Sequence, residues 1–152
     1  MRAQASMEFL MTYGWAILVV LAAIGALAYF GVLSPDKFLP SKCSIAPGID
    51  CAEFKVSPNS VTLALRNGMG QSLVVTQIDV IPQGTGLSTC TWQVANGTFA
   101  NGDLKTYSSG TTCSNGAAGD RYKGDIVLHY YQKGFADIPK TTDGSITGKV
   151  QV

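Results

Sequence analysis

The hydrophobic positions of this chain follow two different patterns, and the first is a long apolar run near the start. Residues 9–35 contain no charged side chain. At a helical rise of about 1.5 Å per residue this run spans roughly 35 to 40 Å, which is enough to cross the core of a bilayer. The pattern predicts one long hydrophobic helix that ends at Ser34, because the residue before Pro35 is disfavoured in a helix.

From residue 43 onward, apolar and polar residues alternate, which is typical of half-buried strands. Turn residues such as those at 67–70 separate these segments. Short strands without any helical pattern predict an antiparallel β-sandwich of the immunoglobulin-like kind, so the predicted fold class is α+β. We expect the last strand to lie inside its sheet. The predicted strands are 53–56, 61–66, 72–81, 89–94, 103–107, 125–131 and 145–152.

The distribution of charge predicts how the helix is oriented in the membrane. The formal net charge is +1, and the basic residues are scattered singly, so nothing predicts a nucleic-acid partner. Arg2 and the initiating amine precede the helix, and a basic start favours a cytoplasmic N-terminus. Residues from Ser34 onward would then lie outside the cell.

Glu8 directly precedes the apolar run, next to Phe9. A carboxylate that faces lipid costs about 3 kcal/mol or more at depth. Two interpretations are open: Glu8 lies among the headgroups or favours the helix N-terminus through the dipole, or it meets a cationic partner when subunits associate.

The first thirty residues carry a resemblance to a known family. Met1-Arg2-Ala3, then Gln4-Ala5-Ser6-Met7-Glu8-Phe9 and a long apolar helix, resemble the class III signal peptide of an archaeal type IV prepilin. The resemblance implies that a prepilin peptidase cuts between Ala3 and Gln4 on the cytoplasmic side, with Arg2, Ala3 and Gln4 as the processing residues. The implied segments are a leader (1–3), a membrane and filament-core helix (4–34), a linker (35–42) and an extracellular head (43–152).

The same resemblance implies a function. The processed chain would stay in the membrane until assembly. The pilus assembly machinery would then polymerise it with copies of itself into an extracellular adhesive filament. Gln4, Glu8 and Phe9 would be its assembly residues, since the new amine of Gln4 would meet a neighbour's Glu8. If Gln4 cyclised to pyroglutamate, Glu8 would keep only a hydrogen-bonding role. Archaellins share this processing, but their helices typically open with a Gly-Ile-rich pattern that is absent here.

Two rival interpretations rest on the residues themselves. Ala26-Leu27-Ala28 reads as an A-x-A site, at which a secretory peptidase would release a soluble head. Against this cleavage, the apolar run continues past Ala28. Alternatively, the helix is a permanent anchor, and the chain is a monomeric membrane-anchored extracellular binding module.

The chain has four cysteines, all after the helix. An even number outside the cell predicts disulfides, for which three pairings exist. The favoured pairings are Cys43–Cys51 and Cys90–Cys113, because each closes a local loop.

Composition argues against an enzyme. The single histidine, His129, lies in a predicted strand, and no C-x-x-C, G-x-S-x-G, HExxH or P-loop pattern occurs. We therefore expect no catalytic residues, no metal and no cofactor. Asn96-Gly97-Thr98 is the one N-x-[ST] sequon, which makes Asn96 a candidate glycosylation site.

Overall fold

The computed structural model of this chain describes residues 2–31, 40–95, 97–111 and 113–152. The chain forms two compact units, residues 1–39 and residues 40–152. The first is a helix and the second is a β-domain, called the head below. Each is described by itself.

A single helix, α1 (Arg2–Tyr29), forms the first unit. It ends five residues earlier than predicted, so the boundary at Ser34 is wrong. The physical reason lies at Gly31, which has a φ of 68° and donates its N–H to the carbonyl of Ala28 at 3.1 Å. A glycine in this left-handed conformation stops a helix, since it closes the last turn on the free carbonyls. Residues 32–39, which include most of the predicted linker, lie outside the described part.

The head consists of two antiparallel sheets. The larger sheet has the order β1-β9-β8-β4-β5, with β6 also paired to β4, and the smaller has the order β2-β3-β7. The predicted fold class, a long N-terminal apolar helix followed by antiparallel sheets, is confirmed. The strands are β1 (Lys42–Ile45), β2 (Ile49–Ser57), β3 (Ser60–Asn67), β4 (Leu73–Pro82), β5 (Cys90–Gln93), β6 (Thr98–Phe99), β7 (Leu104–Ser108), β8 (Arg121–Gln132) and β9 (Lys140–Lys149).

One hydrophobic core joins the two sheets. Alternate residues of β3, β4 and β8 point into it and are completely buried, as their spacing in sequence predicts. Each aliphatic side chain buried in this way stabilises the fold by about 1.5 to 3 kcal/mol relative to an exposed one. The largest aliphatic contributors from these strands are Leu63, Leu65, Leu73, Ile78, Ile126 and Leu128.

The alternation in β4 breaks at Thr76, where the strand has a β-bulge. Val75 pairs with Tyr130, and Gln77 pairs with the next residue back, His129. The extra residue moves the buried positions from 73 and 75 to 78 and 80. The bulge therefore explains how a long strand with irregular patterning keeps one face on the core.

Glycines explain why two strands are longer than predicted. The pair Asp143-Gly144 resembles a turn, yet it lies inside β9, which begins at Lys140 and not at residue 145. A Cβ on Gly144 would come within 2.6 Å of the carbonyl oxygen of Ser44 in β1, so the glycine permits a close approach of two backbones. Gly124 does the same in β8, where a Cβ would lie 2.9 Å from the oxygen of Ile81.

The C-terminal strand lies inside the larger sheet, as predicted, between β8 and β1. It ends at Lys149 and not at Val152. After it, Val150 forms a single bridge to Val56 of the smaller sheet, and Gln151 donates its N–H to the carbonyl of Val56 at 2.7 Å. The chain end thus links the two layers.

Both predicted disulfides are present, Cys43–Cys51 and Cys90–Cys113. Although each closes a short loop in sequence, the first joins the edge strands β1 and β2, which belong to different sheets. The second joins β5 to the segment after β7, where Cys113 donates its N–H to the carbonyl of Asn59 in the turn between β2 and β3. The disulfides therefore hold the two layers together at opposite sides of the sandwich.

Candidate membrane and assembly helix

The surface of α1 is apolar on every side. None of its apolar window between Ala3 and Tyr29 is buried, and by length and composition this segment is able to cross a membrane. An apolar helix that is covered by nothing is not stable in water, because its side chains need lipid or other helices around them. The most exposed large residues include Leu10, Met11, Trp15, Leu18 and Leu21.

Polar groups form one short row at the start of this helix. Gln4, Glu8 and Thr12 are spaced by four residues, which places them on one face. The Thr12 hydroxyl donates to the backbone carbonyl of Glu8 at 2.8 Å. The Glu8 carboxylate is solvent-exposed and is the only acidic side chain of α1. Two of the predicted assembly residues, Gln4 and Glu8, are therefore one turn apart on the same face.

The third predicted assembly residue, Phe9, contributes an apolar surface beside this row. Its ring packs against that of Tyr13, with the centroids 5.0 Å apart. Together with Ala16, Ile17 and Val20, these rings line a shallow depression that has no polar wall. This depression can hold the apolar side chains of a neighbouring helix or lipid tails.

The predicted processing residues lie in the first turn of α1. Ala3 and Gln4 are exposed, and the bond between them comes within two residues of the helix start at Arg2. The first N–H groups of a helix have no partners within it, so this turn unwinds at low cost. The Ala3–Gln4 bond can therefore become extended without unfolding the rest of the helix.

The predicted glycosylation site, Asn96, lies outside the described residues. The third position of its sequon, Thr98, is exposed at the start of β6.

His129 belongs to a polar cluster on the outer face of the larger sheet. Its Nε2 atom lies 3.0 Å from Oδ2 of Asp79. Gln77 donates from Nε2 to both carboxylate oxygens of Asp79, and Gln93 donates to Oε1 of Gln77 at 2.6 Å. Within residues 2–31, 40–95, 97–111 and 113–152, no three His, Cys, Asp or Glu side chains converge to hold a metal. The cluster ties β4, β5 and β8 together.

The hydrogen bonds of this cluster change the acidity of Asp79. Burial alone would raise its pKa, but hydrogen bonds from Thr91, Gln77 and His129 and the charge of His129 outweigh burial and lower the pKa below the ordinary value of 3.8. A carboxylate with a lowered pKa stabilises the fold at every pH above its unfolded value. That stabilisation is lost as the pH falls through the pKa of the folded state.

We expect Asp79→Asn to lower the free energy of unfolding by about 1 kcal/mol near neutral pH, since the side chain is only 15% exposed and loses charge-assisted hydrogen bonds. The difference from the wild type should shrink as the pH falls below the ordinary aspartate value of 3.8. Urea unfolding of both proteins between about pH 7 and about pH 2 measures it. A difference that stayed constant over this range would show that the charge of Asp79 does not matter.

No protein-family model matches this chain, and no curated protein matches it.

Proposed function

We propose that this chain is the structural subunit of an archaeal type IV pilus-like surface filament that serves adhesion. It polymerises through α1 after its leader is removed. The observation that carries the proposal is an uncovered apolar helix with one carboxylate near its start. The membrane covers this helix before assembly, and the helices of other copies cover it afterwards.

The geometry of α1 supports a bundle of helices. Its side chains are exposed on all sides, so a single flat partner would leave much of the apolar surface uncovered. A set of identical helices can cover every side, because contacts between different faces of one subunit repeat without closing and produce a helical polymer. The head has a hydrophobic core of its own, so its folding does not need contacts with this bundle.

Glu8 supports a defined stagger between neighbouring helices. After cleavage, Gln4 would carry the new amine, and Glu8 lies one turn further along the same face. A buried carboxylate without a cation is costly, whereas one that meets a neighbour's amine is compensated. Only one axial position of the neighbour provides this contact, so the pair selects the register of assembly.

The order of Arg2, the apolar helix and the disulfide-bonded head along the chain supports the predicted route through the membrane. Arg2 precedes the apolar segment, and a cytoplasmic N-terminus places the disulfide-bonded head outside the cell. The prepilin peptidase and the assembly machinery would then act from the cytoplasmic side, where the Ala3–Gln4 bond lies in the first turn of α1.

We expect the protein recovered from the cell surface to begin at Gln4. Intact mass and N-terminal sequencing measure this directly, and cyclisation of Gln4 would appear as loss of one ammonia and a blocked N-terminus. A chain that began at Met1 would instead indicate a permanently anchored binding module. A chain that began at Tyr29 would indicate a secreted head. Either result would overturn the proposed function.

A further inference from the structure

The connection between β8 and β9 is an unusually apolar surface feature. This segment, residues 133–139, is exposed along its whole length and is called the β8–β9 loop below. It presents Phe135, with 57% of its surface exposed, and Ile138, with 56% exposed. Away from the C-terminal Val152, the described residues of the head expose only two other large apolar side chains to a comparable degree, Ile81 and Leu104. Half of this exposed apolar set therefore lies in one seven-residue loop.

The loop has a defined conformation. The N–H of Phe135 donates to the carbonyl of Gln132 at 2.9 Å, and the N–H of Ile138 donates to the carbonyl of Phe135 at 3.1 Å. At the base, the N–H of Lys133 donates to the carbonyl of Ser72 at 3.0 Å. Two consecutive turns thus hold both apolar side chains outward, so binding would cost little conformational entropy.

The loop lies far from the point where the chain enters the head. Entry is at β1, where Lys42 pairs with Thr147 of β9, whereas the loop precedes Lys140 at the other end of β9. Seven residues of strand separate these two positions, which corresponds to roughly 23 Å. The β8–β9 loop can therefore bind a surface that does not contact the end of the head at which the chain enters.

Charge indicates the chemistry of that surface. Lys133 and Lys140 are exposed on the two sides of the apolar pair, and Asp137 is the one acidic residue of the loop. Apolar side chains that enter the acyl boundary, with lysines beside them at the level of the headgroups, are typical of proteins that bind anionic bilayers.

Area argues against a second copy of the chain as the occupant. Two half-exposed side chains of this size offer on the order of 200 Å². A stable interface between two proteins buries about 1,000 Å² or more and needs a complementary surface. A bilayer needs no matching pocket, because lipid adapts to the shape of what enters it.

We propose that the β8–β9 loop inserts Phe135 and Ile138 into the surface of an anionic bilayer. The inference concerns the head alone. It applies equally to a filament subunit and to a permanent anchor, so the N-terminal mass decides between those two independently.

The test uses the full chain with α1 held in nanodiscs of phosphatidylcholine. These are mixed with separate sucrose-loaded vesicles of phosphatidylglycerol and phosphatidylcholine, which are then sedimented. We expect the wild type to sediment with the vesicles. The double variant Phe135→Ser/Ile138→Ser should bind roughly tenfold more weakly or worse, because the inserted apolar area is lost. Its thermal unfolding should be unchanged, since both side chains are exposed.

Two controls make the result specific. Ile81→Ser removes an apolar side chain of β4 that is 43% exposed, and it should bind like the wild type. Lys133→Gln/Lys140→Gln should weaken binding roughly tenfold at low salt and remove most of its salt dependence.

Three outcomes would overturn the inference. The wild type could fail to sediment with anionic vesicles, or the Phe135→Ser/Ile138→Ser variant could sediment equally well. Alternatively, the nanodiscs could associate with one another without vesicles and lose that association in the variant, which would assign the loop to a contact between copies of this chain.

Discussion

Cells that carry Glu8→Ala should insert and process the protein normally but assemble few or no filaments. In the proposed bundle, the variant leaves the Gln4 amine of a neighbour buried without its anion. An uncompensated buried charge weakens association roughly a hundredfold or more. Electron microscopy of sheared surface filaments measures assembly, and the mass of the membrane-bound chain measures processing.

The chain provides its own matched control, because Glu53 is the only other glutamate. It is exposed in β2 of the head, so Glu53→Ala should assemble like the wild type. Glu8→Gln separates charge from hydrogen bonding: it should fail if the Gln4 amine is free and should assemble if Gln4 has cyclised. Normal filaments from Glu8→Ala would rule out a role for this carboxylate in assembly.

The helix and the sandwich were predictable because each follows from a periodic pattern. An uncharged run of this length leaves few alternatives to a helix, and alternation of apolar and polar residues places one face of a strand on a core. The spacing of four also predicts that Gln4, Glu8 and Thr12 share one face of the helix. The family resemblance pointed only to Gln4 and Glu8. The hydrogen bond from Thr12 to the Glu8 carbonyl depends on the backbone already being helical.

Local patterns fail where a residue is chosen for contacts that are distant in sequence. Gly144 resembles a turn residue, but its missing side chain accommodates the backbone of β1, almost one hundred positions earlier in the chain. The strand β1 has only four residues, too few for their alternation to identify a strand. Its pairing with β9, about one hundred positions later, is not visible in a local window.

The β8–β9 loop was missed for a related reason. Gly134 and Pro139 correctly indicate a turn, and residues in turns are usually judged by their backbone preferences. The relevant signal was the pair Phe135 and Ile138, two large apolar residues inside a segment that a turn exposes. Large apolar residues between turn residues therefore indicate a candidate binding surface, because the turn exposes them to solvent.

The second large effect is expected at Asn67, a polar side chain that is completely buried at the end of β3. Its Nδ2 donates to the carbonyls of Gln71 at 2.8 Å and Phe99 at 2.7 Å, and its Oδ1 accepts from the N–H of Met69 at 2.9 Å. Asn67→Leu keeps a similar volume but leaves these three backbone groups without partners. An unpaired buried group costs about 1 to 3 kcal/mol. The contact with Phe99 is buried and the other two are partly buried, so we expect a total loss of about 3 kcal/mol.

Thermal unfolding of the head, followed by circular dichroism, should therefore show a fall in Tm of roughly 10 °C or more. Asn101 is a matched control, because it also precedes a glycine and also accepts a backbone N–H, that of Gly70 at 2.9 Å. Asn101 is exposed, so in the Ala variant water can accept the hydrogen bond from Gly70. Asn101→Ala should therefore lower the free energy of unfolding by only about 0.5 kcal/mol. Equal losses at the two positions would contradict the assignment of Asn67 as a buried polar anchor.

Asn67→Asp tests which atoms of this anchor matter. The carboxylate keeps an acceptor for the Met69 N–H but loses both donors, and it brings a charge against the carbonyl oxygens of Gln71 and Phe99. Because an unpaired buried charge costs more than an unpaired neutral group, we expect the Asp variant to be at least as unstable as the Leu variant at neutral pH. It should recover partly in acid, where the protonated carboxyl can donate to one of the two carbonyls. An Asp variant as stable as the wild type would show that the contact with Met69 alone positions the β3–β4 connection.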